Sequence, residues 1–310
     1  MDKRTFCPEK DGFYGVFYPH PAGSKKAMIL MLGDSSENRM VRAGAKWLHK
    51  RGCHVTALSP EKKGGYHSYS LERIERAVEF LKAQGNEKIG IVGASATGML
   101  ALTAASLFPD IRLTIAMTPP DFVMEGYYKD GLDGARERPG NNESSLTWRG
   151  QPLAYLPYAY RHPEYWQKVK QEAKETGNRI ACRNLFDESE RQHPVQEAEK
   201  IKVENIKVEN IKGKVIFVGA EDDALWDTCK YVHRMELRLE SMTHECEVEA
   251  LFYQHGTHFV FPESMLKTML PVDSDLLVRL MFKAAREHPK ECRQTRLDID
   301  KKLSRAIQLW

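Results

Sequence analysis

One stretch constrains the fold more than any other: Lys88-Ile-Gly-Ile-Val-Gly-Ala-Ser-Ala-Thr-Gly-Met-Leu100. An apolar run (Ile89, Ile91, Val92) stops at Gly93, and Ser95 follows two residues later. Thr97 to Ser106 then reads as a helix of small residues. A strand, a tight turn with serine at its tip and a helix together make the shape of a nucleophile elbow. The backbone at such a serine is strained and neighbouring chain passes close by, so the flanking residues must be small. Gly93, Ala94, Ala96 and Gly98 meet that need. The usual pattern is Gly-x-Ser-x-Gly. Here Thr97 holds the last position and Gly98 comes one residue late. An ordinary βα turn fits the same residues, so the stretch alone does not assign chemistry.

The rest of the chain repeats this alternation. Phe13–Tyr18, Ala27–Leu32, His54–Leu58, Leu113–Met117, Lys214–Val218 and Glu247–Tyr253 are short apolar runs of strand length. Several are apolar throughout, as expected of strands covered on both faces. Helical spacing falls between them, at Glu37–Arg51, at Ser70–Gly85 with Ser70 as the expected cap, and at Trp226–Leu239. Leu276–His288 reads as one amphipathic helix, followed by a polar helical tail at about 290–310. The pattern predicts an α/β protein, a doubly wound, mostly parallel sheet in one domain spanning 1–310. The alternation breaks at about 121–213. There a Gly-rich, charged loop (Gly131–Asn142), an aromatic stretch (Trp148–Trp166) and polar helices (Gln167–Thr176, Asp187–Lys200) suggest a cap-like insert packed over a pocket. A tandem IKVEN-IKVEN repeat begins at Ile201 and reads as a lengthened lead-in to the next strand; two copies are too few for a solenoid.

Composition excludes several classes. With 310 residues, 42% hydrophobic and 29% charged, the chain can bury a sizeable core. A net charge of +3 with no basic stripe gives no nucleic-acid surface. No stretch reaches the length of a membrane span and the N-terminus has no apolar leader segment, so the cytoplasm is the expected compartment. The six cysteines are scattered without a Cys-x-x-Cys pair and are expected to be free. No cofactor is implied.

Two further placements matter. Asp222-Asp223 follows one late strand, and His258 follows the last. Nucleophile, acid, histidine is the chain order of the α/β-hydrolase triad, each member at the C-terminal end of a strand. In that scheme His258 accepts the Ser95 proton, and Asp222 or Asp223 orients the imidazole. One of the two aspartates is also expected to cap the helix from Trp226. His255 is the alternate base, but His258 lies deeper in the loop. The pair fits a loose His-x-x-His spacing, yet no metal is assigned because helix and carboxylate ligand are both missing. The oxyanion hole is expected from the Ala96 amide and that of Asp34 or Ser35, in the loop after Ala27–Leu32.

With those residues placed, the chain resembles the C-terminal catalytic domain of acyl-CoA thioesterases and bile acid-CoA:amino acid N-acyltransferases over roughly residues 27–261. The matching pieces include KIGIVGASATGMLAL, SSLTWRGQPLAYLPY, VIFVGAEDDALWDT and YQHGTHFVFPE. The resemblance implies Ser95 as nucleophile, Asp223 as acid and His258 as base; Trp226, three residues past Asp223, decides between the aspartates. It also implies hydrolysis rather than acyl transfer, because the acyltransferases carry cysteine where this chain has Ser95. Thr97 and Thr257 depart from the family, each standing where it has glycine. Too few residues precede the sheet for the animal enzymes' N-terminal β-sandwich, and the insert is a candidate for its role in substrate capture. The expected partner is a small acyl thioester or ester, with a homo-oligomer left open. The alternatives are a carboxylesterase or dienelactone-hydrolase-like enzyme, or a non-catalytic binding protein whose elbow Thr97 crowds.

Overall fold

The computed structural model describes residues 3–60, 65–131, 137–193, 206–270 and 273–310. A short edge strand that the sequence pattern does not predict, β1 (Arg4–Phe6), precedes the apolar runs, which become β2 (Gly15–Tyr18), β3 (Lys26–Met31), β4 (His54–Leu58), β5 (Lys88–Ala94), β6 (Ile111–Met117), β7 (Lys212–Ala220) and β8 (Glu245–Tyr253). They pair in the order β1-β2-β4-β3-β5-β6-β7-β8. β2 is antiparallel to both neighbours, and the pairs from β4 to β8 are parallel.

Both faces are covered because the strands are apolar at successive positions. Ile29 and Met31 of β3 join one core, and Met28 and Leu30 join the other. On the first face lie α2 (Glu72–Ala83), α3 (Ala96–Leu107) and α6 (Thr228–Ser241). On the second lie α1 (Arg39–His49), α7 (Glu263–Met269), α8 (Ser274–Met281) and α10 (Pro289–Leu309). From β3 the chain goes one way to β4, and from β5 the other way to β6. The loops leaving β3 and β5 therefore diverge, opening the crevice in which such sheets bind ligands.

Several expectations need correction. Ser70 does not cap α2: Leu71 holds the cap position with helical backbone, and Ser70 Oγ bonds Glu72 Oε2 at 2.7 Å. The expected loop at 131–142 is in part a hairpin, with Glu125–Tyr128 antiparallel to Arg138–Ser144, while 132–136 lie outside the described residues. The buried Glu125 carboxylate holds it, accepting from the Asn142 and Tyr158 amides and pairing with Arg161. Helices α4 (Glu164–Thr176) and α5 (Arg183–Gln192) are present, but 194–205, with the first repeat copy, lie outside the described residues. The second copy is docked, with Ile206 and Val208 buried, as is Ile211 just after it.

The helix expected at Leu276–His288 is broken. Phe282 is extended (φ −125°, ψ 133°) between α8 and α9 (Lys283–Glu287). The break turns Phe282 into a buried position and frees the Met281 carbonyl for the Arg179 amide. The polar tail is a 21-residue helix, α10, that buries Cys292, Arg296, Ile299, Leu303 and Ile307 at helical spacing against the sheet.

Candidate active site

The residues singled out sit at the C-terminal ends of β5, β7 and β8, on one side of the crevice. Ser95 lies between β5 and α3 with φ 61° and ψ −133°, a backbone few side chains adopt. Crowding explains the small neighbours: a Cβ on Gly93 would meet the Thr97 carbonyl oxygen at 2.0 Å. Ala96 opens α3, so its amide has no intrahelical acceptor.

Thr97 does not displace this turn. Its hydroxyl accepts from the Ala94 amide (3.1 Å) and lies 2.7 Å from the Met31 carbonyl and 2.8 Å from that of Ala94. A buried threonine thus joins the elbow to the end of β3. Thr97→Val is expected to cost about 1–3 kcal/mol, because it keeps the shape and strands buried polar groups. Urea unfolding would read the loss, and a change within about 0.5 kcal/mol would mean the bonds matter little.

Asp223 is 1% exposed. Its Oδ1 accepts from the Leu225 amide (2.9 Å), and its Oδ2 accepts from Thr228 Oγ1. Both oxygens reach His258 Nδ1, at 3.0 and 2.8 Å. A carboxylate only accepts, so Nδ1 carries the proton in the neutral ring and Nε2 keeps its lone pair. That Nε2 is buried and has no hydrogen-bond partner among the described residues. Trp226 stands edge-on to the imidazole, with ring centroids 4.8 Å apart, its own Nε1 donating to the Thr118 carbonyl at 3.1 Å.

The second aspartate does other work. Asp222 Oδ1 accepts from the Gly256 and Thr257 amides at 3.0 and 2.7 Å, holding the loop that carries His258. Thr257 sits at φ 58°, the left-handed region. The positive φ explains the glycine that the resembling family has there. Thr257 offsets the strain with its bond to Asp222 and with its Oγ1, which accepts from the Phe259 amide. Neither Asp222 nor Asp223 caps the following helix: α6 starts at Thr228, and Asp227 caps it through the Lys230 amide at 3.0 Å. His255 is turned away, stacked on His288 with centroids 4.0 Å apart.

Ser95, Ala96 and His258 line one cavity of about 280 Å³. Its walls are mostly apolar and aromatic, including Met124, Tyr158, Trp166, Phe186, Trp226 and Phe282. Leu32 and Gly33 bring the loop after β3 to it. Tyr66 donates to the Gly33 carbonyl at 3.1 Å, fixing the peptide whose opposite side carries the Asp34 N–H. Among the described residues, the Asp34, Ser35 and Ala96 amides donate to no backbone acceptor. Lys129, from the insert, also lines the cavity and pairs with Glu137 (2.9 Å) and Asp34 (3.5 Å). Burial alone would lower its pKa, but those carboxylates hold it above the ordinary lysine value. Cys182 lies in the wall too, and burial pushes its thiol well above the ordinary value, away from the reactive thiolate form. The contacts of Tyr66 and Lys129 left no mark in the sequence, because each joins segments with no shared motif, whereas Thr228 ends the same VIFVGAEDDALWDT segment as Asp223.

Comparison with known proteins agrees with this architecture. The chain is similar to a Pyrobaculum calidifontis esterase at 14% identity, with 99% of this chain and 85% of that one covered and a TM-score of 0.54. It is also similar to MGS-M1, an α/β-hydrolase enzyme from a Medee basin deep-sea metagenome library, at 12% identity, 100% and 99% coverage and a TM-score of 0.54. At such identities the likeness shows the fold, an α/β-hydrolase fold. No curated protein matches. The family model described as BAAT / Acyl-CoA thioester hydrolase C terminal matches residues 69–264, more than half of the chain, and includes the elbow, the Asp223 turn and the His258 loop. The chain therefore belongs to the BAAT / acyl-CoA thioester hydrolase C-terminal family.

Proposed function

We propose that this protein is a serine hydrolase of acyl-CoA thioesters, built as one α/β-hydrolase domain with the 121–213 insert as its cap. The observation that carries the reading is the buried Asp223–His258 pair facing the same cavity as Ser95. In this mechanism His258 Nε2 takes the Ser95 Oγ proton as the oxygen attacks the thioester carbonyl. The tetrahedral oxyanion is met by the Ala96 and Asp34 amides, each worth about 3 kcal/mol in the transition state. Collapse expels the coenzyme thiolate, which takes the proton from the imidazolium, and leaves an acyl ester on Ser95. Water, deprotonated by His258, then attacks that ester, and Ser95 leaves with the proton. Asp223 holds the ring in the required tautomer throughout. All six cysteines are free, which suits a reducing compartment, the cytoplasm. Among the described residues no helix is long and apolar enough to cross a membrane.

A fluorophosphonate probe tests the reading without a guess at the substrate. The expected result is one adduct on Ser95, lost in Ser95→Ala and strongly slowed in His258→Ala. No adduct where a control hydrolase reacts fully would overturn it. A panel of acyl-CoA against simple esters of the same acids separates a thioesterase from a carboxylesterase.

A further inference from the structure

Three consecutive carbonyls, at the end of β3 and in the loop after it, each face a side-chain donor. That of Met31 lies 2.7 Å from Thr97 Oγ1, and that of Leu32 lies 3.5 Å from Asn38 Nδ2. The Gly33 carbonyl accepts from the Tyr66 hydroxyl at 3.1 Å. The amides that come next, of Asp34 and Ser35, donate to no backbone acceptor among the described residues. Gly33 lines the Ser95 cavity, whereas Tyr66 is 1% exposed and stands outside that lining. The Gly33 carbonyl therefore points into the protein. The trans peptide turns the Asp34 N–H the opposite way, toward the cavity.

The backbone by itself does not fix that orientation. Gly33 sits at φ 77° with no side chain to oppose rotation of the peptide after it. Asp34 is one of the few residue types that tolerate the positive φ a turned peptide asks for. Turned over, the peptide would aim a carbonyl at the cavity and repel a negative oxygen forming there. Tyr66 disfavours this, because a buried carbonyl that loses its donor is costly. The phenol is itself held. Its ring packs against those of Tyr69 and Tyr127, with centroids 5.4 and 6.1 Å away, and the Tyr66 carbonyl accepts from the Tyr127 amide at 2.8 Å. Burial pushes the phenol well above the ordinary tyrosine value, so it stays a donor. Tyr127 belongs to the insert hairpin, so the insert anchors the residue that orients the peptide.

We propose that Tyr66 is a positioning residue for the reaction, holding the Gly33–Asp34 peptide with its N–H toward the oxyanion. This rests on the serine hydrolase reading above. An alkyl trifluoromethyl ketone isolates the effect. Ser95 Oγ adds to its carbonyl carbon, the Ser95 proton passes to His258, and the carbonyl oxygen takes the electron pair as a lasting oxyanion. Loss of a whole oxyanion donor typically costs about a hundred- to a thousandfold in kcat. A peptide turned only part of the time loses less, so Tyr66→Phe is expected to lower kcat by about tenfold, with KM within about twofold. The ketone's inhibition constant is expected to rise by the factor by which kcat/KM falls. Tyr69→Phe removes a neighbouring buried hydroxyl that has no hydrogen-bond partner among the described residues, and is expected to change neither.

Urea midpoints show that each variant is folded. A Tyr66→Phe kcat within about twofold of the intact protein's, or an equal loss in Tyr69→Phe, would overturn the proposal and leave the hydrolase reading standing. A rise in KM with kcat unchanged would do the same, since it marks a binding contact. An intact protein that cleaves no ester or thioester and does not bind the ketone would overturn both.

Discussion

Asp223→Asn is expected to lower kcat by about ten-thousand-fold with little change in fold, the loss typical when a triad carboxylate becomes an amide. The amide can present its NH2 group to His258 Nδ1, which places the ring proton on Nε2 and removes the lone pair that the proposed mechanism uses. Its neighbour provides the control. Asp222 touches the loop amides of Gly256 and Thr257 rather than the imidazole of His258. Asp222→Asn keeps an acceptor for those amides and loses the charge assistance and the carboxylate that lies 3.4 Å from His255 Nδ1, so the expected cost is about tenfold or less. Steady-state kinetics on one acyl-CoA substrate, with fluorophosphonate labelling rates alongside, would check both. An Asp222→Asn loss as large as that of Asp223→Asn would reassign the acid.

Arg296→Ala is expected to destabilise the protein by about 3 kcal/mol, the low end of the range for breaking a buried ion pair, because Glu263 keeps the longer contacts of Arg293 (3.7 Å) and Lys267 (3.8 Å). Arg296 and Glu263 are each 1% exposed and joined at 2.9 Å, and Arg296 also pairs with Asp275. Glu263 further accepts from Ser274 Oγ at 2.8 Å. One guanidinium thus ties α10 to α7 and α8, and the junction after α8 supplies Met281 and Phe282 to the cavity wall. The shift in the urea midpoint reads the effect, and adding Glu263→Gln should recover part of the loss by removing a buried charge that has lost its shortest partner. A loss below about 1 kcal/mol would mean water reaches Glu263 and screens it.

The two predictions rest on residues of different legibility. The Ser95 elbow was readable because its requirements are local: a strand must stop, a serine must stand at a strained turn, and adjacent residues must be small. The Asp223 and His258 loops were readable as strand ends in the right order, since strands announce themselves by apolar runs. Arg296 was not. It sits in a stretch of mixed polarity that reads as solvated, and only burial against the sheet turns its charge into a structural tie. The broken helix at Phe282 was hidden for the same reason, because periodicity alone runs straight through it. The ring stacked on His255 and the capping role of Asp227 were equally invisible.

By itself, then, the sequence determined the alternating α/β order, the doubly covered sheet, the strained serine turn and the chain order of serine, aspartate and histidine. Each follows from sterics or apolar periodicity within a few neighbouring residues. Only the tertiary structure showed what each aspartate touches, Asp223 the imidazole of His258, 35 residues away, and Asp222 the amides of the loop before it. It alone showed that Thr97 closes the elbow against Met31, 66 residues back. It also brought the Arg179 amide to the Met281 carbonyl across the break after α8. Those choices are pairings between distant segments, and a hydrogen bond or a buried charge is satisfied only by the group that folding brings within reach.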